Sequence, residues 1–320
     1  MNNFPSVFEA INDLSKDQIE GLLILARKFK ERDHDKPQFP NKLPIVANSF
    51  LENSTRTKNS FAIAIKRLGC HYLDFNTETS SLNKGESLEE TLLTLYAQGV
   101  DLCIIRTSVS NQLSEFKNNT PVKIINGGDG TNQHPTQALL DLFTMQEIGI
   151  ELEGKTMAII GDCIHSRVGH SLCELLPQFG CNIILCGPSD YVPKTPEYEG
   201  VEISNDLEST VKRSDFLYTL RIQKERHAGS TEAAKHYDTY HDKYGISRDK
   251  LKAWNKEVPV FHPGPANIGV EISTDIIKSS LYKGYDQVVN SIYMRMAIIT
   301  AILSNNDKNI GIIDGTRIRD

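Results

Sequence analysis

The residues of this sequence best suited to chemistry begin with the run Ser54-Thr55-Arg56-Thr57, between a predicted strand and a predicted helix. Three hydroxyls and a guanidinium stand there beside the unpaired N–H groups and the positive dipole end of a helix. This combination is typical of an oxyanion site, and phosphate suits it best because arginine offers a planar, bidentate fork. The alternative is that Ser54 only caps the helix and that Arg56 is solvated. The run by itself leaves both interpretations open.

A second polar run, Asp129-Gly-Thr-Asn-Gln-His-Pro-Thr-Gln137, also follows a predicted strand and opens a helix. His134 at a helix N-terminus is expected to be neutral, and therefore able to donate a hydrogen bond to a substrate carbonyl. Gln137 lies one turn later on the same face, and Arg106 ends another predicted strand. A histidine that only caps the helix is the competing interpretation.

The second half of the chain carries a different set of candidates. Arg167 follows one predicted strand, and Arg221 and Gln223 follow another. Two arginines with an amide suit a ligand that bears two carboxylates, although each arginine alone would fit a solvated or salt-bridged side chain. The segment His262-Pro-Gly-Pro265 must bend rigidly, because its prolines fix φ and leave neighbouring carbonyls to face a ligand. A purely structural turn is the alternative there.

One further run, Gly149-Ile-Glu-Leu-Glu-Gly-Lys-Thr156, matches the P-loop pattern letter for letter. A P-loop follows a strand and precedes a helix, so that backbone amides and the helix N-terminus face the phosphates. Here the predicted helix comes before the run and the predicted strand after it. We therefore interpret Gly154-Lys155 as a tight turn rather than as a nucleotide site.

Alternating helices and strands must position these residues. Apolar side chains at helical spacing follow Ser15, Ser54 and Ser87, and Ser15 and Ser87 open capping boxes with Gln18 and Glu90. A final amphipathic stretch covers residues 287–303. The predicted strands cover residues 44–51, 71–75, 102–106, 122–126, 157–161, 183–186, 216–221 and 258–261.

This alternation predicts an α/β fold of two doubly wound domains, each with a central, mainly parallel sheet flanked by helices, joined by interdomain helices. We expect the first domain to cover residues 1–150 and the second 151–286, with the C-terminal helix 287–304 packing back on the first. In open parallel sheets, ligands bind where the carboxyl ends of strands run into loops. The candidate runs fall at such junctions.

Length and composition exclude several classes of protein. The 320 residues carry 35 basic and 41 acidic side chains, a net charge of −6, whereas a general nucleic-acid binder is basic. No apolar run exceeds the five residues of Leu22–Ala26, far fewer than the roughly 18 residues that suggest a membrane span. The six cysteines include no Cys-x-x-Cys pair, so we expect buried free thiols and no metal site. Because the N-terminus lacks a signal-peptide pattern, we expect a cytoplasmic protein.

Taken together, these residues resemble the transcarbamoylase family over roughly residues 50–296. The run Phe50–Thr57 is the strongest marker. The loop Ser80–Glu86 and the segment Arg221–Arg226 resemble the branch of the family that uses aspartate rather than ornithine. Ornithine enzymes have His-Cys-Leu-Pro where this chain has His262–Pro265, and the Gly264 form resembles bacterial catalytic chains that work without a dedicated regulatory subunit. Asp129–Gln137 and Gly161–Val168 complete the resemblance.

The resemblance implies transfer of the carbamoyl group from carbamoyl phosphate to the α-amine of L-aspartate. The products would be N-carbamoyl-L-aspartate and phosphate, in de novo pyrimidine biosynthesis, with no cofactor. The first domain would bind carbamoyl phosphate and the second aspartate. A transcarbamoylase for another amine, or a non-catalytic phosphate-binding α/β protein, remain the alternatives.

The resemblance also implies roles for individual residues. The catalytic residues would be Arg56, Thr57, Lys84, Arg106 and His134. Carbamoyl phosphate would bind to Ser54, Thr55, Arg56, Thr57, Arg106, His134, Gln137, Gly264 and Pro265. Aspartate would bind to Lys84, Arg167, Arg221 and Gln223. Ser80 and Lys84 would reach into a neighbouring subunit's site, which makes a homotrimer the minimal active unit and leaves larger assemblies open.

Overall fold

Apolar runs along the chain form two parallel sheets flanked by helices. The computed structural model describes residues 4–31, 43–52, 54–75, 85–222 and 239–304. The strands of the first sheet are β1 (Val7–Phe8), β2 (Ile45–Phe50), β3 (His71–Phe75), β4 (Leu102–Thr107) and β5 (Lys123–Asp129). Their order in the sheet is β1-β5-β4-β2-β3, and all neighbouring strands pair in parallel. Strands β4 and β5 are buried along their whole length, as expected for a sheet covered on both faces.

The helices that accompany this sheet follow the sequence signals closely. The hydroxyl oxygen of Ser87 accepts a hydrogen bond from the Glu90 N–H at 3.1 Å, and Ser15 and Gln18 pair in the same way. The first helix buries one apolar face while its other side chains meet solvent, which is the spacing read from the sequence. These helices are α1 (Lys16–Glu31), α2 (Thr55–Arg67), α3 (Leu88–Ala97) and α4 (Pro135–Glu147).

The strands of the second sheet are β6 (Thr156–Ile160), β7 (Asn182–Cys186), β8 (Val201–Ser204), β9 (Phe216–Thr219) and β10 (Val260–Phe261). Their order in the sheet is β10-β9-β6-β7-β8, and the sheet is likewise parallel throughout. The accompanying helices are α5 (Arg167–Leu175), α6 (Leu207–Arg213), α7 (Arg248–Ala253), α8 (Thr274–Ile277) and α9 (Gly284–Leu303).

The chain divides into two compact units, each built around one sheet. One unit contains the described residues up to Phe143 and from Asn290 onward, and the other is Thr144–Val289. The last helix, α9, therefore contributes its first residues to the second unit and the remainder to the first. The predicted fold class, two α/β domains around parallel sheets, is confirmed.

The segment that matches the P-loop pattern is a turn, as the sequence order indicated. Helix α4 ends at Glu147, and β6 begins at Thr156 with no helix between them. Gly149 and Gly154 have φ values of 83° and 70°, and the Lys155 N–H donates to the Leu152 carbonyl at 3.0 Å. The side chain of Lys155 pairs with the carboxylate of Asp215 at 3.2 Å. The interpretation as a tight turn is confirmed.

The six cysteines are free and buried, as predicted. Burial is the main cause that raises the pKa of each thiol, to about 11 at Cys70 and about 12 at Cys103. Among the described residues, no group of three or more His, Cys, Asp or Glu side chains is placed to hold a metal ion. Nor does any helix in the described ranges have the length and apolar character to cross a membrane.

Candidate functional site

The start of α2 presents backbone N–H groups and hydroxyls together. Ser54 occupies the N-cap position with extended backbone, and the first intrahelical bond runs from the Lys58 N–H to the Ser54 carbonyl at 3.1 Å. The N–H groups of Thr55, Arg56 and Thr57 precede that bond and have no acceptor within the helix. The side chain of Ser54 makes no capping hydrogen bond. The interpretation that its hydroxyl only caps the helix is therefore wrong, whereas Arg56 is exposed, as that alternative expected.

A buried arginine supports this first turn from within the unit. The Thr57 carbonyl accepts a hydrogen bond from the Ser60 hydroxyl at 2.9 Å, and Nη1 of Arg295 on α9 donates to that hydroxyl. The Arg295 guanidinium lies 4.7 Å from the centre of the Phe61 ring. Burial lowers the pKa of Arg295 to about 9, a fall opposed by the Asp141 carboxylate. Arg295 therefore remains a cation at neutral pH.

Arg106 ends β4 and is held by a carboxylate that sequence reasoning did not single out. Its Nε lies 3.1 Å from Oε2 of Glu52, which follows β2, and its Nη1 donates to the Gly127 carbonyl at 3.4 Å. Phe50 stands directly opposite Arg106 in the sheet, which places Glu52 within reach. Only 11% of the Arg106 side chain is exposed, against 32% of Glu52. An anion that binds Arg106 must therefore compete with a partly exposed glutamate.

Asp129 shapes the turn between β5 and α4. Its Oδ1 accepts hydrogen bonds from Nδ2 of Asn126 at 2.7 Å and from the Gln133 N–H at 3.0 Å. Its Oδ2 accepts from the Asn111 N–H at 2.7 Å and from Nδ2 of Asn132 at 2.9 Å. Because the carboxylate is fully buried and binds four donors, its role in this polar run is structural. It fixes the point at which α4 begins.

His134 and Gln137 lie at the start of α4, as the sequence indicated. The His134 side chain is buried, and its carbonyl accepts the Gln137 N–H at 3.0 Å. Nε2 of Gln137 donates to Oδ1 of Asp141 at 2.9 Å. Since Nε2 faces Asp141, Gln137 has its Oε1 available as a hydrogen-bond acceptor. Asp141, fully buried, sets the orientation of this amide.

These residues of the first unit come from three adjacent strands. In the order β5-β4-β2, the carboxyl ends lead to the start of α4, to Arg106 and to the start of α2. The register pairs Phe50 with Arg106 and Thr107 with Asp129. Because the strands are parallel, all three groups lie together at the carboxyl ends of the strands. The carboxyl ends of these strands therefore bring together donors that suit a phosphate group, donors that suit a carbonyl oxygen and an acceptor that suits an NH₂ group.

In the second unit, Arg167 and Arg221 also follow neighbouring strands. Arg167 is the first residue of α5, after the Ser166 cap, and it is only 8% exposed. The interpretation of Arg167 as a solvated side chain is therefore wrong. Arg221 is half-buried, two residues beyond β9, which is the neighbour of β6 in the sheet. Gly161, with φ of 136°, permits the close approach of these two segments, because a Cβ there would lie 2.9 Å from Cβ of Leu220.

The bend after β10 is held at both ends by side chains. Oε1 of Gln287 accepts the His262 N–H at 2.9 Å, and Nδ1 of His262 accepts the Gly264 N–H at 2.8 Å. Nε2 of His262 lies 3.1 Å from Oε1 of the buried Glu271. The Gly264–Pro265 peptide bond is cis. Strand β10 neighbours β9, so this bend and the two arginine segments share one edge of the second sheet.

Three of the residues singled out in the sequence, Ser80, Lys84 and Gln223, lie outside the described residues. Conversely, the structure shows carboxylates that the sequence reasoning missed, namely Glu52, Asp141 and Glu271. Asp141 carried a readable signal, because glutamine and aspartate four residues apart face each other on a helix. Glu52 contacts Arg106 across 54 positions of sequence, and no local pattern reveals such a pair.

Comparison with known proteins covers nearly the whole chain. Residues 7–147 match the family model "Aspartate/ornithine carbamoyltransferase, carbamoyl-P binding domain", and residues 153–302 match "Aspartate/ornithine carbamoyltransferase, Asp/Orn binding domain". A curated relative from Staphylococcus epidermidis, named aspartate carbamoyltransferase catalytic subunit, is 38% identical over 294 residues, which is 92% of this chain and 98% of the relative.

Solved structures resemble the chain over a similar extent. The catalytic subunit of aspartate transcarbamoylase from M. jannaschii superposes with a TM-score of 0.79 at 31% identity, covering 95% of this chain and 99% of its own. Aspartate transcarbamoylase from Trypanosoma cruzi, solved with carbamoyl phosphate and aspartate, gives a TM-score of 0.78 at 28% identity, covering 93% and 97%.

Proposed function

The chain belongs to the aspartate/ornithine carbamoyltransferase family, and we propose that within it the chain transfers the carbamoyl group of carbamoyl phosphate to the α-amine of L-aspartate. The products are N-carbamoyl-L-aspartate and phosphate. The observation that carries the choice of acceptor is the placement of the buried Arg167 and of Arg221 after neighbouring strands. Two guanidinium groups suit the two carboxylates of aspartate, whereas the second amine of ornithine would meet like charge.

We assign the donor, carbamoyl phosphate, mainly to residues 1–150, the domain on which we expect the C-terminal helix to pack. Ser54, Thr55, Arg56 and Thr57 bind the phosphate with Arg106, since the start of α2 offers N–H groups and hydroxyls to an anion. Gln137 accepts from the carbamoyl NH₂ through Oε1, because its Nε2 is engaged by Asp141. The backbone carbonyls near Gly264 and Pro265 accept from the same NH₂.

We assign L-aspartate to residues 151–286. Arg167, Arg221 and Gln223 hold its carboxylates, and Lys84 contributes a further cation. Support for the two arginines comes from their positions at one edge of the second sheet. The support for Gln223 and Lys84 is the resemblance of their sequence segments to the family.

The reaction on this assignment is direct attack of a neutral amine on the carbamoyl carbon. The carbonyl oxygen becomes negative in the tetrahedral transition state, and Arg106, His134 and Thr57 donate to it. One such donor contributes about 2.7–4 kcal/mol, and correct placement of two reactants can remove roughly 7–11 kcal/mol of the barrier. The C–N bond forms, the C–O bond to phosphate breaks, and the departing phosphate takes the proton of the amine. No covalent intermediate with a side chain is required.

We further propose that the protein works as a homotrimer in the cytoplasm and serves de novo pyrimidine biosynthesis. In this assembly, Ser80 and Lys84 of one subunit complete the site of the next. The support is the family resemblance of the Ser80–Glu86 run.

The decisive experiment measures carbamoylated product by a colorimetric assay, with carbamoyl phosphate and a panel of amines. We expect product with L-aspartate and little or none with L-ornithine. Faster turnover of ornithine would overturn the assignment, and turnover of a different amine alone would indicate another transcarbamoylase. Phosphate binding without any product would indicate a non-catalytic protein. Arg167→Ala should raise the KM for aspartate far more than the KM for carbamoyl phosphate.

A further inference from the structure

Glu271 is a carboxylate buried in the second unit with 1% of its side chain exposed. Its Oε1 accepts two hydrogen bonds, from Nε2 of His262 at 3.1 Å and from the Asn267 N–H at 2.5 Å. Its Oε2 is buried with no hydrogen-bond partner among the described residues. Burial of a carboxylate that is only half satisfied costs free energy. The role of Glu271 therefore lies in the groups that its carboxylate holds in place.

One arm of this arrangement reaches the Gly264–Pro265 bend. Nδ1 of His262 accepts the Gly264 N–H at 2.8 Å, so the ring proton must be on Nε2, which faces Glu271. Glu271 therefore fixes both the tautomer and the rotation of the imidazole. Because a peptide group is planar, holding the Gly264 N–H also fixes the direction of the Pro263 carbonyl, and with it the start of the Gly264–Pro265 bend.

The other arm reaches the segment that carries Arg221. Glu271 holds the backbone of Asn267, whose Nδ2 donates to the Ile222 carbonyl at 2.9 Å. Ile222 follows Arg221 directly and is itself buried. A single carboxylate thus connects two separate segments at the edge of the second sheet, one after β9 and one after β10.

We propose that Glu271 is a positioning residue for carbamoyl transfer, which holds the Gly264–Pro265 bend and the Arg221 segment in register with each other. The inference rests on the proposed function, because that function gives these two segments their contacts with the carbamoyl NH₂ and with aspartate. Glu271 itself touches neither substrate. Its contribution is to place both segments accurately against their ligands.

The test compares Glu271→Ala with Glu271→Gln in the full-length protein. Glutamine retains an oxygen that accepts from His262 and Asn267, whereas alanine removes it. We expect kcat/KM for aspartate to fall about 100-fold in Glu271→Ala, since misplacement by about 1 Å costs that much, and to stay within about fivefold of the wild type in Glu271→Gln. Glu257→Ala, at an exposed glutamate of the same unit, is the matched control and should leave turnover unchanged.

Asn267→Ala separates the two arms and also serves if Glu271→Ala fails to fold. It removes the bond to the Ile222 carbonyl but leaves Glu271 and His262 paired. We expect the KM for aspartate to rise about tenfold while the KM for carbamoyl phosphate stays within about twofold. A simple loss of stability would not produce this split.

The outcomes are distinguishable. An active wild type with an unaffected Glu271→Ala, or with Glu271→Gln as slow as Glu271→Ala, would overturn the positioning role and leave the proposed function standing. An unchanged KM for aspartate in Asn267→Ala would overturn it as well. A wild type that carbamoylates no aspartate would overturn the function and, with it, this inference.

Discussion

Replacement of Glu52 by glutamine should strengthen the binding of phosphate to the first unit. Glu52 neutralises Arg106 in this structure, with Oε2 of the glutamate 3.1 Å from Nε of the arginine. A phosphate group that binds Arg106 must displace this carboxylate or bind beside it. Glutamine keeps the shape and the hydrogen-bonding oxygen of Glu52 but removes the negative charge.

The expected size of the effect follows from the geometry of the pair. At an effective dielectric constant of about 20, two charges roughly 4 Å apart attract by about 4 kcal/mol, but a displaced glutamate regains its hydration. The net contribution of a hydrogen bond to a charged group is about 1.5–3 kcal/mol. The lower end applies here, because 32% of the Glu52 side chain is already exposed. About 1.4 kcal/mol corresponds to a factor of ten, so the dissociation constant for phosphate should fall roughly tenfold.

The measurement is isothermal titration calorimetry with inorganic phosphate at low ionic strength. Glu115→Gln changes the net charge equally at an exposed position of the same unit and should leave the dissociation constant nearly unchanged. The difference between Glu52→Gln and the wild type should shrink as salt is added, since salt screens exposed charges. Equal or weaker phosphate binding by Glu52→Gln would refute the competition, and weaker binding would make Glu52 part of the binding site instead.

Three further outcomes are expected. Lys84→Ala and His134→Ala should each nearly abolish turnover, and mixed trimers reassembled from the two should recover part of it; verified mixed trimers without recovered activity would contradict a shared site. Turnover should survive exhaustive treatment with EDTA, and a loss that zinc restores would show that metal ligands were overlooked. At about pH 8, iodoacetamide should label the native protein slowly and the unfolded protein fast, because burial raises the pKa of Cys103 to about 12 and of Cys70 to about 11; rapid labelling of the native protein would contradict this.

The sequence predicted the central strands well and missed some strands at the sheet edges. Strands such as Leu102–Thr107 are buried along their length and appear as continuous apolar runs. The strands β1 and β8, which the sequence did not reveal, stand at the edges of their sheets. β1 has only two residues, Val7–Phe8, and β8 has a single fully buried residue, Val201. A two-residue strand is too short to show a periodic pattern, and a strand with one buried residue does not show the alternation of a half-buried strand.

For the candidate site, the sequence singled out polar residues at the ends of strands but not their carboxylate partners. Polar runs that interrupt an apolar pattern at the end of a strand are visible locally, as at Ser54 and His134. Glu271 is nine positions from His262, and Glu52 is 54 positions from Arg106. Only the folded chain brings these pairs together, because the contacts depend on which strands become neighbours.

Glu52 and Glu271 differ in their exposure to solvent, and this difference separates their roles. Glu52 is 32% exposed, so it can leave Arg106 and be hydrated. Glu271 is 1% exposed and holds two donors through one oxygen, so its release would leave a buried charge without hydration. The first arrangement can respond to ligand binding, while the second keeps its geometry before and during the reaction. Preorganised groups of the second kind stabilise a transition state most, because they need no rearrangement when charge develops.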